Sequence, residues 1–362
     1  MLTYKKNIVV ENRIEVLFLH LKLSIAIFTN KIILKLKMNK MNAANFIITV
    51  DLGGTKILSA LVDSQNEIIG KVKLPTDASK GADFIVECIS KSINQLFVNH
   101  NISEKNIRAI AMGVPGTVNP ISGLLSNAPN LGITDFNIKE ALQKTFKIPV
   151  LLENDVNLAA LGIKNHEFDN KVNNMLVVFI GTGIGGALIF NGNIYRGSNY
   201  FAGEIGHMLV NNKGEFSSGK SSKSFEMIAS RTAIVEKINK KISKGNKSNI
   251  LEFVNNGKIK SSALANAVES KDKLVIKEMK KALKVIGTVL GSVTTLLNID
   301  TIVLGGGVVE AMSDFVIPEV QKSFMKAVLL APGKNVKIVA TNLGDDAPLY
   351  GGISLIEEFL SN

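Results

Sequence analysis

The chain has 362 residues, 46% of them hydrophobic and 20% charged, so it can bury a sizeable core and is long enough for about two domains, which excludes disorder, collagen and coiled coil. Its one cysteine, Cys88, forbids an intrachain disulfide and any multi-thiolate metal site, and it suits a reducing, cytoplasmic compartment rather than secretion. Forty-two basic against 31 acidic residues give +11, which raises nucleic acid or an anionic membrane as a partner until that charge is located.

Residues 1–40 hold eight lysines and arginines against Glu11 and Glu15, so more than half of the excess sits there. The apolar run 16–28 is broken by His20 and Lys22, is too short to cross a bilayer and has no small-residue cleavage site after it. Residues 1–44 therefore read as an N-terminal extension, with Met38 or Met41 as the natural start. A basic surface helix and a membrane anchor are the alternatives.

The core pattern begins at Phe46. Residues 46–51 form an apolar strand ending in a carboxylate, the turn Leu52-Gly-Gly-Thr-Lys56 follows, and residues 57–62 make a second strand. Ile85, Cys88, Ile89, Ser92 and Leu96 keep helical spacing, and 107–112 and 148–152 read as strands. A helix over about 154–163 comes next. The hairpin plan then recurs, with a strand at 175–180, the turn Gly181-Thr-Gly-Ile-Gly-Gly186 and a strand at 187–190, which suggests internal duplication into two α/β lobes. Helices are expected near 224–242 and 251–254. A long one is marked by Ile276, Met279, Leu283, Ile286, Val289, Val293 and Leu296, and a strand at 300–304 leads through Gly305, Gly306 and Gly307 into another helix. The Lys-rich stretch 237–247 is most simply a solvated helix end and loop.

A glycine-rich turn between two strands lets backbone N–H groups converge on an anion, because no Cβ blocks the approach. Either turn alone reads more readily as a structural hairpin than as a phosphate site. Asp51 adds a carboxylate that could hold Mg²⁺ through water, while Thr55 and Lys56 add a hydroxyl and a cation. The turn is neither a P-loop, lacking the GKS or GKT end, nor a dinucleotide fingerprint, which needs a following helix. In Glu153-Asn-Asp-Val-Asn157, Asp155 falls in the first turn of a helix at the end of a sheet, where a carboxylate serves as a cap or a base. Glu204 and His207, in Ala202-Gly-Glu-Ile-Gly-His207, are three apart and could face one ligand or merely each other.

Together these segments, with Gly113-Val-Pro-Gly116, Ala128-Pro-Asn-Leu131 and Leu304-Gly-Gly-Gly307, resemble the ROK family (repressor, open reading frame, kinase) over about residues 46–360. The resemblance implies a two-lobed, ribonuclease-H-like, actin-like ATPase fold closing around a cleft, and an ATP- and Mg²⁺-dependent hexose kinase of the glucokinase type. It implies that Asp155 deprotonates the sugar 6-hydroxyl. Asn130, Asn154, Asp155, Glu204, His207 and Glu226 would bind the sugar. Asp51, Gly53, Gly54, Thr55 and Lys56 would face the transferring phosphate and Mg²⁺. Gly181, Thr182, Gly183, Gly185 and Gly186 would face the nucleotide phosphates, and Gly305 to Gly307 the adenosine. Lobes are expected at 45–168 and 169–345, with a C-terminal helix at 346–362 packing back on the first lobe. Dimers or tetramers are implied, without a nucleic-acid or membrane partner.

Two departures bear on this. Many family members bind a structural zinc through three cysteines after the Gly-His motif, whereas Ser217, Gly219 and Ser224 stand at the matching positions, so zinc is expected to be absent and the 211–223 loop mobile. The repressor branch carries an N-terminal helix-turn-helix, and no such two-helix pattern is legible before residue 45, which disfavours DNA recognition. An N-acetylhexosamine kinase, a fructokinase and a sugar-responsive regulator remain the alternative functions, and polyphosphate remains an alternative donor.

Overall fold

A computed structural model describes residues 45–361 apart from 219–221 and 255–256, so the reading of the N-terminal extension, the Gly219 position and part of the expected loop lie outside the described residues. The first sheet is built from β1 (Phe46–Leu52), β2 (Lys56–Val62), β3 (Ile68–Pro75), β4 (Ile107–Val114) and β5 (Val150–Asn154). Their order is β3-β2-β1-β4-β5, with the β1-β2-β3 meander antiparallel and β1, β4 and β5 parallel. The second sheet comprises β6 (Met175–Ile180), β7 (Ile184–Phe190), β8 (Asn193–Ile194), β9 (Thr301–Gly305) and β10 (Lys337–Ala340), in the order β8-β7-β6-β9-β10. Again the first three are antiparallel and the last two parallel to the first. Strand for strand the topologies coincide, so the repeated hairpin is the start of a repeated sheet.

Nearly every residue of β1, β2 and β4 is buried on both faces, as expected of strands covered by helices. Helix α1 (Ala82–His100) buries Ile85, Val86, Ile89, Ile93 and Leu96 along one stripe and ends at Asn101, whose left-handed φ of 52° stops it. Helix α2 (Ile138–Thr145), not anticipated from its pattern, is capped by the Asn137 side chain and packs Ile138 and Leu142 into the same core. The second half is organised by α4 (Lys273–Leu297), capped by Asp272, and α5 (Gly307–Ala327), which kinks at Met312. These two lie close because Gly287 and Gly291 leave no side chain between α4 and the backbone of α5.

Helix α3 (Asp155–Gly162) follows β5 directly, and its Leu158, Ala159, Ala160 and Leu161 pack with Val177 of β6 and Val303 of β9. It is crossed by α6 (Ala347–Ser361), where Gly162 meets the Ala347 carbonyl and Gly351 meets the Leu158 carbonyl, contacts that no Cβ could enter. From there α6 lies over the first sheet, with Gly352 against Thr49 and Ala111. These two helices therefore join the sheets, α6 lying on β1 and β4 of the first and α3 on β6 and β9 in the middle of the second.

Three expectations are corrected. The turn expected over 181–186 ends at Gly183, because β7 starts at Ile184 and pairs Gly185 and Gly186 with Phe179 and Val178. The helix expected over 224–242 is two helices, Phe225–Ala229 and Arg231–Ile242, because Ser230 adopts extended geometry and caps the second through Ala233 N. The segment near 251–254 is a 3₁₀ turn, Ile250–Phe253.

Candidate active site

The first glycine turn is closed on itself. Gly53 N–H donates to the Lys56 carbonyl at 2.9 Å, and Thr76 secures both sides, its hydroxyl donating to Gly53 O (2.9 Å) and its N–H to Thr55 O (3.0 Å). Gly54 faces Asn130 so closely that an added Cβ would lie 3.3 Å from the Asn130 Cβ. Lys56 reaches across the molecule to an ion pair with Asp345, and Lys71 does the same with Asp346 at 2.6 Å. The turn is thereby tied to the segment leading into α6.

Asp155 is the first residue of α3, and Asn154 is the cap. Asn154 Oδ1 accepts from Val156 N (2.9 Å) and Asn157 N (3.1 Å), while its Nδ2 donates to the Gly116 carbonyl at 3.1 Å. With the cap position filled, the Asp155 carboxylate accepts from Val156 N at 2.9 Å and from its own backbone N–H. Burial, then the neighbouring charge of Asp51, push the Asp155 carboxyl up from 3.8 to about 7; the Val156 bond opposes this and Glu204 adds to it. Burial likewise lifts Asp51 to about 6, against the pull of Lys56 and with Asp345 adding to the rise. A carboxyl poised near neutrality at a helix start, one wall of a cavity, has the properties of a general base.

That cavity, about 280 Å³, is lined by Asp51, Asp155, Gly306, Gly307, Glu310 and Asp345 among others. Gly306 has φ +83° and precedes α5; an added Cβ would stand 2.8 Å from the backbone of Ile180, so the turn between β9 and α5 approaches β6 as closely as a backbone can. Glu310, in the first turn of α5, is raised by burial and by Asp345, against Lys56. Four carboxylates thus converge, three of them pushed towards protonation, which is the electrostatic condition a divalent cation relieves. Among the described residues no three acidic or imidazole groups form a ready-made cage. This donor set fits Mg²⁺, which takes one or two carboxylates and completes its shell with water and phosphate oxygens.

The second glycine turn is braced from beneath. Gly181 N–H donates to Gly183 O (2.9 Å), Arg231 N–H to Gly181 O (2.9 Å), the Arg231 guanidinium to Thr182 Oγ1 (2.7 Å), and Thr232 Oγ1 to Thr182 O (2.7 Å). Glu226 accepts from Ile184 N at 2.8 Å, and its carboxylate fills the space beside Gly183. Gly186 and Gly203 abut backbone to backbone, and Gly206 abuts Ile184, so the Ala202–His207 segment is pressed onto the turn. His207 Nε2 and Glu204 Oε2 are 3.7 Å apart, with the imidazole 75% exposed, so His207 is not part of the core. Burial raises Glu204, His207 lowers it and Glu226 raises it.

The residues singled out from sequence fall into two adjoining groups. Asp51, Asp155, Gly306 and Gly307 line the first cavity. Asn130, Thr182, Gly183 and Glu226 line a second, of about 370 Å³. Glu204 couples electrostatically to both Asp155 and Glu226, and Gly54 to Asn130 by contact, so the groups are contiguous. Sequence reasoning missed Glu153, Arg196, Arg231, Glu310 and Asp345. Glu153 lies inside the segment quoted for Asp155, but its task shows only through Arg196, 43 positions away at 2.7 Å; nothing local marks the other four.

The ROK family profile matches residues 47–358. A glucokinase of Halalkalibacterium halodurans is 30% identical over 314 residues, 86% of this chain and 94% of that one. A xylose repressor of Caldicellulosiruptor bescii is 24% identical over 314 residues, covering 86% of this chain and 77% of that protein. A crystal structure of a ROK family glucokinase from Streptomyces griseus, in complex with glucose and AMPPNP, superposes with TM-score 0.72 at 25% identity, over 86% of this chain and 98% of that one. The duplicated sheets are those of the actin-like ATPase fold.

Proposed function

This chain belongs to the ROK family, and from that membership we propose that it is an ATP-dependent kinase that phosphorylates a hexose, glucose first, at the 6-hydroxyl. The reading is carried by Asp155, a carboxyl lifted to about 7 in a cavity that also receives the Asp51 turn and the Gly306–Gly307 turn. The glucokinase relatives support it.

In this mechanism Asn130, Asn154, Glu204, His207 and Glu226 partner the sugar hydroxyls. Asp155 accepts the proton of the 6-hydroxyl as that oxygen attacks the γ-phosphorus of ATP, and the bond from phosphorus to the β–γ bridging oxygen breaks to release ADP. The turns at Gly53–Lys56 and Gly181–Gly183, with Gly185 and Gly186 at the start of β7, border the phosphates, and Gly305 to Gly307 border the adenosine. Most of the rate enhancement on this reading is positioning and charge stabilisation. Asp51 would hold Mg²⁺ through water, and the ion would supply positive charge to the phosphate oxygens. The two lobes, 45–168 and 169–345, close on the substrates, with the C-terminal helix at 346–362 packing back on the first lobe, in a cytoplasmic dimer or tetramer.

A panel of glucose, mannose, fructose and N-acetylhexosamines against ATP and polyphosphate, read by ADP or phosphate release, tests the proposal. Turnover is expected to be highest with glucose and ATP. The xylose repressor relative favours a second reading, a sugar-responsive regulator. Sugar binding without turnover of any member of the panel would support that reading and overturn the kinase.

A further inference from the structure

Glu153 is a buried charge that the phosphoryl-transfer mechanism does not use. Only 2% exposed, it has both carboxylate oxygens engaged. Oε1 accepts from Asn154 N–H and from Asn157 Nδ2, each at 3.0 Å, and Oε2 accepts from Arg196 Nε at 2.7 Å. Its first two partners flank Asp155 in sequence and belong to the turn that presents it. Asn154 in turn caps α3 and anchors to Gly116. The first turn of α3 is therefore tied to this carboxylate at Asn154 and at Asn157.

Arg196 comes from the other half of the molecule, just after β8. Its carbonyl accepts from Ala202 N–H at 3.1 Å, and Gly197, at φ +69°, folds the chain back so that an added Cβ would lie 3.3 Å from the Ala202 Cβ. Residues 196–202 thus form a closed loop whose end is the start of the Ala202–His207 segment. The guanidinium reaches from the base of that loop to the turn carrying Asp155.

Resting on the kinase reading above, we propose that the Glu153–Arg196 pair is an interlobe latch, with Arg196 a positioning residue that registers the Glu204–His207 loop against the turn presenting Asp155. The physical reason is directional. Glu153 can hold Asn154 N–H and Asn157 Nδ2 only as a hydrogen-bond acceptor, and a carboxylate this buried stays an ionised acceptor only beside a cation. Without Arg196 the buried carboxylate has no cationic partner among the described residues, and Glu153 turns away from the α3 turn. The Asn154–Asp155 geometry then loosens although neither residue has changed.

Arg196→Gln is the direct test, measured well below its unfolding temperature so that all protein is folded. The turnover number should fall about ten- to a hundredfold, the loss expected when a base is displaced by about an ångström. Hydrogen exchange at the Asn154, Val156 and Asn157 amides should quicken in the unliganded protein. In Glu153→Gln/Arg196→Gln, the two amides can pair without charge, and both readouts should return most of the way to wild type. Arg196→Lys, which keeps the charge without the guanidinium geometry, should lie between, and it serves if Arg196→Gln does not fold. Turnover within twofold of wild type, or altered turnover with unchanged exchange at those three amides, would overturn the latch. A wild type without kinase activity whose three amides still follow the predicted pattern would instead leave the latch standing and remove the kinase reading.

Discussion

At the scale of single residues, the consecutive Glu153, Asn154 and Asp155 carry three separate tasks. Sequence alone indicates a helix start crowded with acceptors, which is why cap and base compete as readings of Asp155. Only the fold separates them: Asn154 takes the cap, Glu153 turns inward to Arg196, and Asp155 is left to the cavity. Its carboxyl has an ordinary value of 3.8 and stands near 7 when folded, so the folded state binds the proton more tightly than the unfolded chain. Asp155 therefore contributes stability at low pH that is lost as pH rises through about 7, and Asp51 behaves likewise through about 6. Asp155→Asn should raise the unfolding temperature of the unliganded protein at pH 8, with a gain that shrinks as pH falls below 6; calorimetry at the two pH values checks it. In the wild type, kcat/KM for the sugar should rise with pH around a midpoint near 7.

At the scale of elements, the strands and their glycine turns were legible because alternation, β-branched runs and Gly-Gly tips are local signals. The α3–α6 crossing was not, since Gly162 and Gly351 are 189 positions apart and each looks like an ordinary small residue within its own helix. The break at Ser230 was hidden for a related reason, a cap serine inside an otherwise helical pattern. Glycines with opposite burdens give a paired prediction. Gly351→Ala forces a methyl into the Leu158 carbonyl and should cost at least about 1–3 kcal/mol in denaturant unfolding. Gly181→Ala meets nothing within 4 Å and should leave stability within about 0.5 kcal/mol while raising KM for ATP, because the methyl occupies space assigned to phosphate.

At the scale of the whole molecule, the repeated hairpin grew into two five-stranded sheets of one topology, and the cavity lies where strand ends of both sheets meet. Glu310 and Asp345, the opposite wall of that cavity, escaped the sequence because they belong to no motif and reach the site only when the halves come together. The overall charge of +11 says little about partners, as residues 41–362 hold 34 basic against 29 acidic side chains. Of the described residues, none forms a helix long and apolar enough to cross a membrane. The zinc expectation also belongs at this scale, since His207 is exposed beside Glu204, and Ser217, Gly219 and Ser224 stand where the family's cysteines would be. Metal analysis after dialysis should find no stoichiometric zinc, and a tightly held equivalent would contradict that expectation.

The central claim is that Asp155 acts as the base of an ATP-dependent hexose kinase. Turnover of glucose and ATP by Asp155→Asn, with glucose affinity measured on the same preparation, tests it most directly. General-base removal predicts a loss of at least about a hundredfold in kcat with glucose binding retained within a few fold; turnover within tenfold of wild type would contradict the account.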